Sequence, residues 1–105
     1  MIVAALTDSA HGGLKDISET GAVGHRVVHG GAGYAQPVRV DAAVFAALEK
    51  LIPLAPLHQP HNLAAIRAMR ATLPHVPQIA CFDTAFHRTH RQLADVYALP
   101  WAYYE

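Results

Sequence analysis

The order in which two periodicities follow one another constrains this chain more than any other feature. Ala22–Val28 (AVGHRVV) sets Val23, Val27 and Val28 between Gly21 and the Gly30-Gly31 pair, which predicts a β-strand. Gly24 inside it marks a weak point or a close backbone approach. Asp41 then stands where an N-cap belongs, with Val40 and Phe45 placed as a hydrophobic staple. Val44, Leu48, Leu51 and Ile52 follow at helical spacing, so an amphipathic helix is expected over Ala42–Ile52, ended by Pro53 and Pro56. Pro60 suits the first turn of a second helix, whose apolar stripe is Leu63, Ile66, Met69 and Leu73, with Arg67 and Arg70 on the wet side. Leu73-Pro74 closes that helix, and Gln78–Phe82 (QIACF) has the short apolar run of a buried strand in a parallel sheet. Strand, helices, strand is the order of an α/β fold.

The rest of the chain is less patterned. Met1–Leu14 begins apolar and dissolves into His11-Gly12-Gly13, like the tail of an element that starts elsewhere. A loop or short helix is expected over Thr84–Val96, and the aromatic stretch Tyr97–Glu105 has no stop signal. Residues 1–105 are therefore expected to form a single partial domain.

Composition narrows the function. Eight Lys and Arg against eight Asp and Glu give a formal net charge of +0. Nucleic-acid binding, which needs an excess of cations on one face, is not expected. No apolar run approaches the roughly 18 residues of a membrane span, and the MIVAAL start lacks the basic flank of a secretion signal. The single cysteine, Cys81, cannot form an internal disulfide, which points to a reducing, cytoplasmic setting. Charged residues make up 15%, against about 25% in an average soluble domain, and hydrophobic residues 52%. Such a surface is expected to be covered by another domain, a second copy or further chain. The alternative is that abundant alanine inflates the apolar share.

Several residues could carry chemistry. His25/His29, His58/His61 and His87/His90 are pairs at metal-ligand spacings, the last near Asp83. In a strand, however, residues four apart lie about 13 Å from each other, and surface or hydrogen-bonded histidines account for such pairs more simply. Cys81, inside an apolar run, is expected to be a buried packing thiol. Gly30, Gly31 and Gly33 form a loop after a strand but match no phosphate-loop signature. Arg26 and Val28 share one strand face, and a guanidinium beside an isopropyl group suits an anionic head with a short apolar tail. A surface salt bridge is the more common use of such an arginine. Asp83 directly follows the second strand, where open α/β sheets gather their ligands, and it could face a metal–nucleotide or simply cap the next turn.

GHRVVHGG (Gly24–Gly31), PLAPLHQPHN (Pro53–Asn62), VPQIACFDTAFHRT (Val76–Thr89) and YALPWAYYE (Tyr97–Glu105) together resemble the acetate/propionate kinase family. The resemblance implies part of a ribonuclease H-like domain of the sugar kinase, Hsc70 and actin superfamily, incomplete here, in a cytoplasmic homodimer. It implies reversible transfer of the ATP γ-phosphate to a short-chain carboxylate, acetate or propionate, with Mg2+. Arg26 matches the arginine that binds the carboxylate and steadies the transferring phosphoryl group. Val28 and Leu57 match the apolar pocket for the methyl group, Asp83 the essential aspartate beside phosphoryl and magnesium, and His58 an active-site histidine of lesser role. Phosphoryl transfer depends on positioning and on neutralising charge over the equatorial oxygens, which an arginine fork can do.

Other family motifs are missing. The N-terminal phosphate loop, the adenosine loops, the second catalytic arginine and the metal-binding glutamate have no counterpart, and Ala32 stands where many members have glutamate. Most ATP and magnesium ligands are thus expected outside this chain, and none of its residues is expected to bind a cofactor or metal directly. The chain is expected to be an internal piece of the N-terminal domain, inactive alone. Two other readings stay open: a non-catalytic remnant that self-associates or binds a partner through exposed apolar surface, and a histidine-based metal module.

Overall fold

The computed structural model describes residues 2–104, apart from the side chain of Gln92. Strands β1 (Val23–Val27), β2 (Val38–Arg39) and β3 (Gln78–Phe82) form one sheet in the order β1-β3-β2. β1 and β3 are parallel, with Arg26 opposite Cys81 and Val27 opposite Phe82. β2 runs antiparallel to β3, Val38 opposite Ala80. The connection between the parallel strands contains helices α2 (Ala42–Glu49) and α3 (Gln59–Thr72). Short helices α1 (Ile2–Leu6) and α4 (Gln92–Asp95) lie toward the ends, and 3-10 turns occupy Ile17–Glu19, Ile52–Leu54, Asp83–Thr89 and Trp101–Tyr103.

The pleat sorts the strands into two faces. His25 and Val27 of β1 and Gln78, Ala80 and Phe82 of β3 are buried, while Gly24, Arg26 and Cys81 are exposed. The buried face meets Leu63 and Ile66 of α3, which join Val27, Ala80, Phe82, Val40, Phe45 and Leu48 in one core. Cys81 corrects the sequence expectation. An apolar run predicts burial on both faces, but here helices cover only one, and Cys81 projects from the other.

Local chemistry explains the helix limits. Asp41 accepts from the Val44 amide at 2.7 Å and caps α2 as expected. The helix stops at Glu49, three residues before the predicted end. The Leu51 amide bonds back to the Leu48 carbonyl at 3.1 Å, tightening the coil, and Pro53 sits within the 3-10 turn that follows. α3 begins at Gln59 and ends before Leu73-Pro74. Arg67 pairs with Glu49 across α2 and α3, and its Cζ lies 5.0 Å from the Phe45 ring centroid. Gln59, fully buried, donates to the carbonyls of His29 (3.1 Å) and Leu48 (3.3 Å), tying the start of α3 to the loop after β1.

That loop depends on its glycines. A Cβ on Gly30 would lie 2.8 Å from Phe82 Cγ, inside contact distance of a core ring. Gly31 has φ of +62°, which L side chains rarely adopt. Gly30→Ala is expected to cost about 1–3 kcal/mol through displacement of the Phe82 ring, whereas Gly33→Ala, with open space around it, should be near neutral. Urea midpoints of the two variants check this, and equal midpoints would contradict it.

The chain extends 61 × 23 × 22 Å, with a radius of gyration of 17.5 Å, against about 13 Å for a compact domain of this length. Phe86, Leu93, Tyr97 and Tyr103 are each more than three-quarters exposed, so the apolar excess of the composition stands on the outside.

Candidate active site

The parallel pairing of β1 and β3 puts their C-terminal ends side by side, which is where Arg26 and Asp83 lie. Both open onto the face that the helices leave bare. The Arg26 Nε–H donates to Asp83 Oδ1 at 3.0 Å and Oδ2 at 3.1 Å, and Nη2 donates to Oδ2 at 2.8 Å. Of the two uses open to Asp83 from sequence, capping the next turn is not the one its oxygens make. The surface salt bridge expected as the commoner use of Arg26 is present, and it is made to the other candidate site residue.

The pair is solvent-facing, with side-chain exposures of 84% for Arg26 and 37% for Asp83. The hydrogen bonds from Arg26 hold the Asp83 carboxyl below the usual carboxylate range, outweighing the opposing effect of desolvation, and the Arg26 charge adds a lesser downward pull. Asp83 raises the Arg26 pKa in return. Because the folded pKa of Asp83 is depressed, the pair contributes fully above the unfolded value near 3.9 and is lost as pH falls through the folded value. A carbon-detected NMR titration should therefore place the Asp83 midpoint below about 3.9, and Arg26→Ala should move it upward. The same midpoint in both proteins would contradict the pairing.

Arg26 and Asp83 share a cavity of about 210 Å³ with Val28, His58 and Asn62. Val28 is held there by its amide, which donates to Asn62 Oδ1 at 3.0 Å. His58 stands at the N-cap of α3 and makes no capping bond with its side chain. Four of the five expected site residues thus converge. Leu57 does not join them: its side chain is 79% exposed, and it is not among the cavity's lining residues. Asn62 was missed, because a single Asn in the first turn of a helix looks like an ordinary polar surface residue.

The glycine loop is tied to the turn that follows Asp83. The Gly30 amide donates to Thr84 Oγ1 at 3.0 Å, linking it to the residue after Asp83. The histidines fill separate roles. His25 is buried and bonded through Nε2 to Gln78 Oε1 at 2.6 Å, and His29 Nδ1 accepts from the Gly31 amide at 2.8 Å. Among the described residues no group of three or more His, Cys, Asp or Glu converges on one point.

Comparison with known proteins identifies the family to which this fold belongs. The Acetokinase family matches residues 1–105. Acetate kinase of Natranaerobius thermophilus is 52% identical over 105 residues, all of this chain and 26% of its own length. That of Thermotoga maritima is 51% identical over 105 residues, again 26% of its length. Among solved structures, Porphyromonas gingivalis acetate kinase superposes with a TM-score of 0.89 at 42% identity, over 97% of this chain and 26% of that one. A propionate kinase from Francisella tularensis gives a TM-score of 0.77 at 40% identity, over 83% of this chain and 23% of its own. The chain spans about a quarter of the relatives it matches. The family match over the whole length, the identities near 50% and the shared fold agree, and the chain belongs to the acetokinase family.

Proposed function

We propose that this chain supplies the acyl-binding wall of a kinase that reversibly transfers the ATP γ-phosphate to acetate or propionate, giving an acyl phosphate and ADP. The observation that carries this reading is the convergence of Arg26, Val28, His58 and Asp83 on one cavity. The guanidinium takes the carboxylate, Val28 limits the apolar tail, and His58 borders the site as a further polar contact. Leu57 enters the apolar pocket only if its side chain turns inward. In the reaction a carboxylate oxygen bonds to the γ-phosphorus as the bond to ADP breaks. Arg26 offsets the negative charge of both reactants and so lets them approach.

Asp83 uses one side of the Arg26 fork. Only the Nε–H and one Nη2–H are engaged, and the guanidinium's other edge, built from Nη1 and the second Nη2 proton, can take a ligand carboxylate in a paired hydrogen bond. Asp83 thereby orients the arginine for its ligand. Magnesium, which the family reading implies, does not fit the residues present by themselves. Both Asp83 oxygens accept from Arg26, and no second carboxylate lines the cavity. ATP likewise needs groups beyond these.

The same proposal places residues 1–105 as one part of an N-terminal domain, acting in the cytoplasm within a homo-oligomer, with the remaining kinase as its main partner. Among the described residues no helix is long and apolar enough to cross a membrane. A second reading, a non-catalytic module that self-associates or binds a partner, is favoured by the exposed Phe86, Leu93, Tyr97 and Tyr103.

A segment exchange separates the two. This chain replaces the matching 26% of Thermotoga maritima acetate kinase, and acyl phosphate is trapped with hydroxylamine. The exchanged enzyme should keep activity within about tenfold of its parent, while the 105-residue chain alone, given ATP, magnesium and acetate, should form none. A folded but inactive exchange would favour the non-catalytic module.

A further inference from the structure

Asn62 lies in the first turn of α3, half-buried, and lines the same cavity as Arg26, Val28, His58 and Asp83. Its carboxamide orientation is settled by chemistry. The Val28 amide, 3.0 Å away, can only donate, so the atom facing it is Oδ1. The planar amide then leaves Nδ2 on the other limb, and its two protons meet no acceptor among the described residues. The NH2 group opens to the cavity beside the Arg26 guanidinium, where a ligand oxygen can replace solvent as its acceptor. The Asp83 carboxylate is already satisfied by Arg26.

We infer that Asn62 is a ligand-binding residue, donating an Nδ2 proton to an oxygen of the short-chain carboxylate held by Arg26. This rests on the acyl-site reading above. The residue serves both ends of the ligand. Through Oδ1 it fixes the strand end that carries the Val28 isopropyl group, and through Nδ2 it holds the anionic head. Head and tail are thereby kept at a set separation, which favours a two- or three-carbon acid over a longer one.

The test is an amide NMR titration of the segment-exchanged kinase with acetate, following the Asn62 Nδ2 protons and the Arg26 Nε–H. Both should shift with one dissociation constant. Asn62→Asp keeps the acceptor for the Val28 amide but replaces the donor with a negative oxygen. It should weaken acetate binding about tenfold or more, and further than Asn62→Ala does. A purely structural tie to Val28 predicts the reverse order, with Asn62→Asp close to the parent. That order, or a shift at Arg26 without one at Asn62, overturns the inference and leaves the acyl site standing. No shift at either residue overturns the acyl site and this inference with it. The titration of the unsubstituted segment-exchanged kinase decides the matter even if a variant fails to fold.

Discussion

Arg26→Ala in the segment-exchanged kinase lowers kcat for acyl-phosphate formation by about 10²–10³-fold, the range seen when one preorganised donor to a developing oxyanion is removed. Two features of the structure make the effect large. The guanidinium is held in place by three hydrogen-bond contacts to Asp83 before any ligand arrives, so its position needs no reorganisation during transfer. Truncation also leaves Asp83 as a bare carboxylate next to two anionic reactants, which adds repulsion to lost attraction. Arg26→Lys keeps the charge but cannot serve Asp83 and a ligand carboxylate with two edges at once, so it should restore only part of the rate. Steady-state kinetics at saturating ATP and acetate measure this. A loss below about tenfold for Arg26→Ala would place the transferring group elsewhere.

Ile66→Ala should cost about 2–5 kcal/mol of folding stability. Ile66 is fully buried on α3 in the core shared with Val27, Leu48, Leu63, Ala80 and Phe82. The chain exposes 7735 Å² of accessible surface, where a compact protein of 11.3 kDa exposes about 5,700 Å². Less burial means a smaller reserve, and a typical domain has only about 5–15 kcal/mol in all. The loss should therefore abolish or nearly abolish a cooperative urea transition followed by far-ultraviolet circular dichroism. Leu57→Ala, at a side chain 79% exposed, should stay within about 0.5 kcal/mol. An Ile66→Ala midpoint equal to that of Leu57→Ala would mean that the α3–sheet contact does not hold the fold together.

The legible parts of the fold were those governed by local periodicity. Gln78–Phe82 is a strand over the predicted residues, because five apolar or amide residues between Pro77 and Asp83 leave little else. Val38–Arg39 was not anticipated. A two-residue edge strand shows no alternation, and only its pairing with β3 defines it. The end of α2 was placed too late because Leu51 and Ile52 continue the apolar spacing while the backbone has already tightened toward Pro53. Cys81 illustrates a different limit. Sequence shows that a residue is apolar, but which sheet face gets covered depends on the side to which α2 and α3 return.

The site divides along the same line. The strand period predicts that Arg26 and Val28 face one way, but β1 ends at Val27. It is the Asn62 bond to the Val28 amide beyond the strand that keeps Val28 beside the cavity. That Asp83, 57 residues away, closes on Arg26 is a tertiary fact, legible only through the parallel register and through family resemblance. Asn62 carried no sequence signal beyond its place in the PLHQPHN motif. Its partner is a backbone amide 34 residues earlier, which no side-chain pattern reveals.

The most direct test of the acyl site is a crystal structure of the segment-exchanged kinase with acetate bound. The carboxylate should lie within hydrogen-bond distance of the Arg26 Nη1–Nη2 edge, on the side away from Asp83, with the methyl group against the Val28 isopropyl. Acetate bound elsewhere, with the Arg26 cavity filled only by water, would contradict the account.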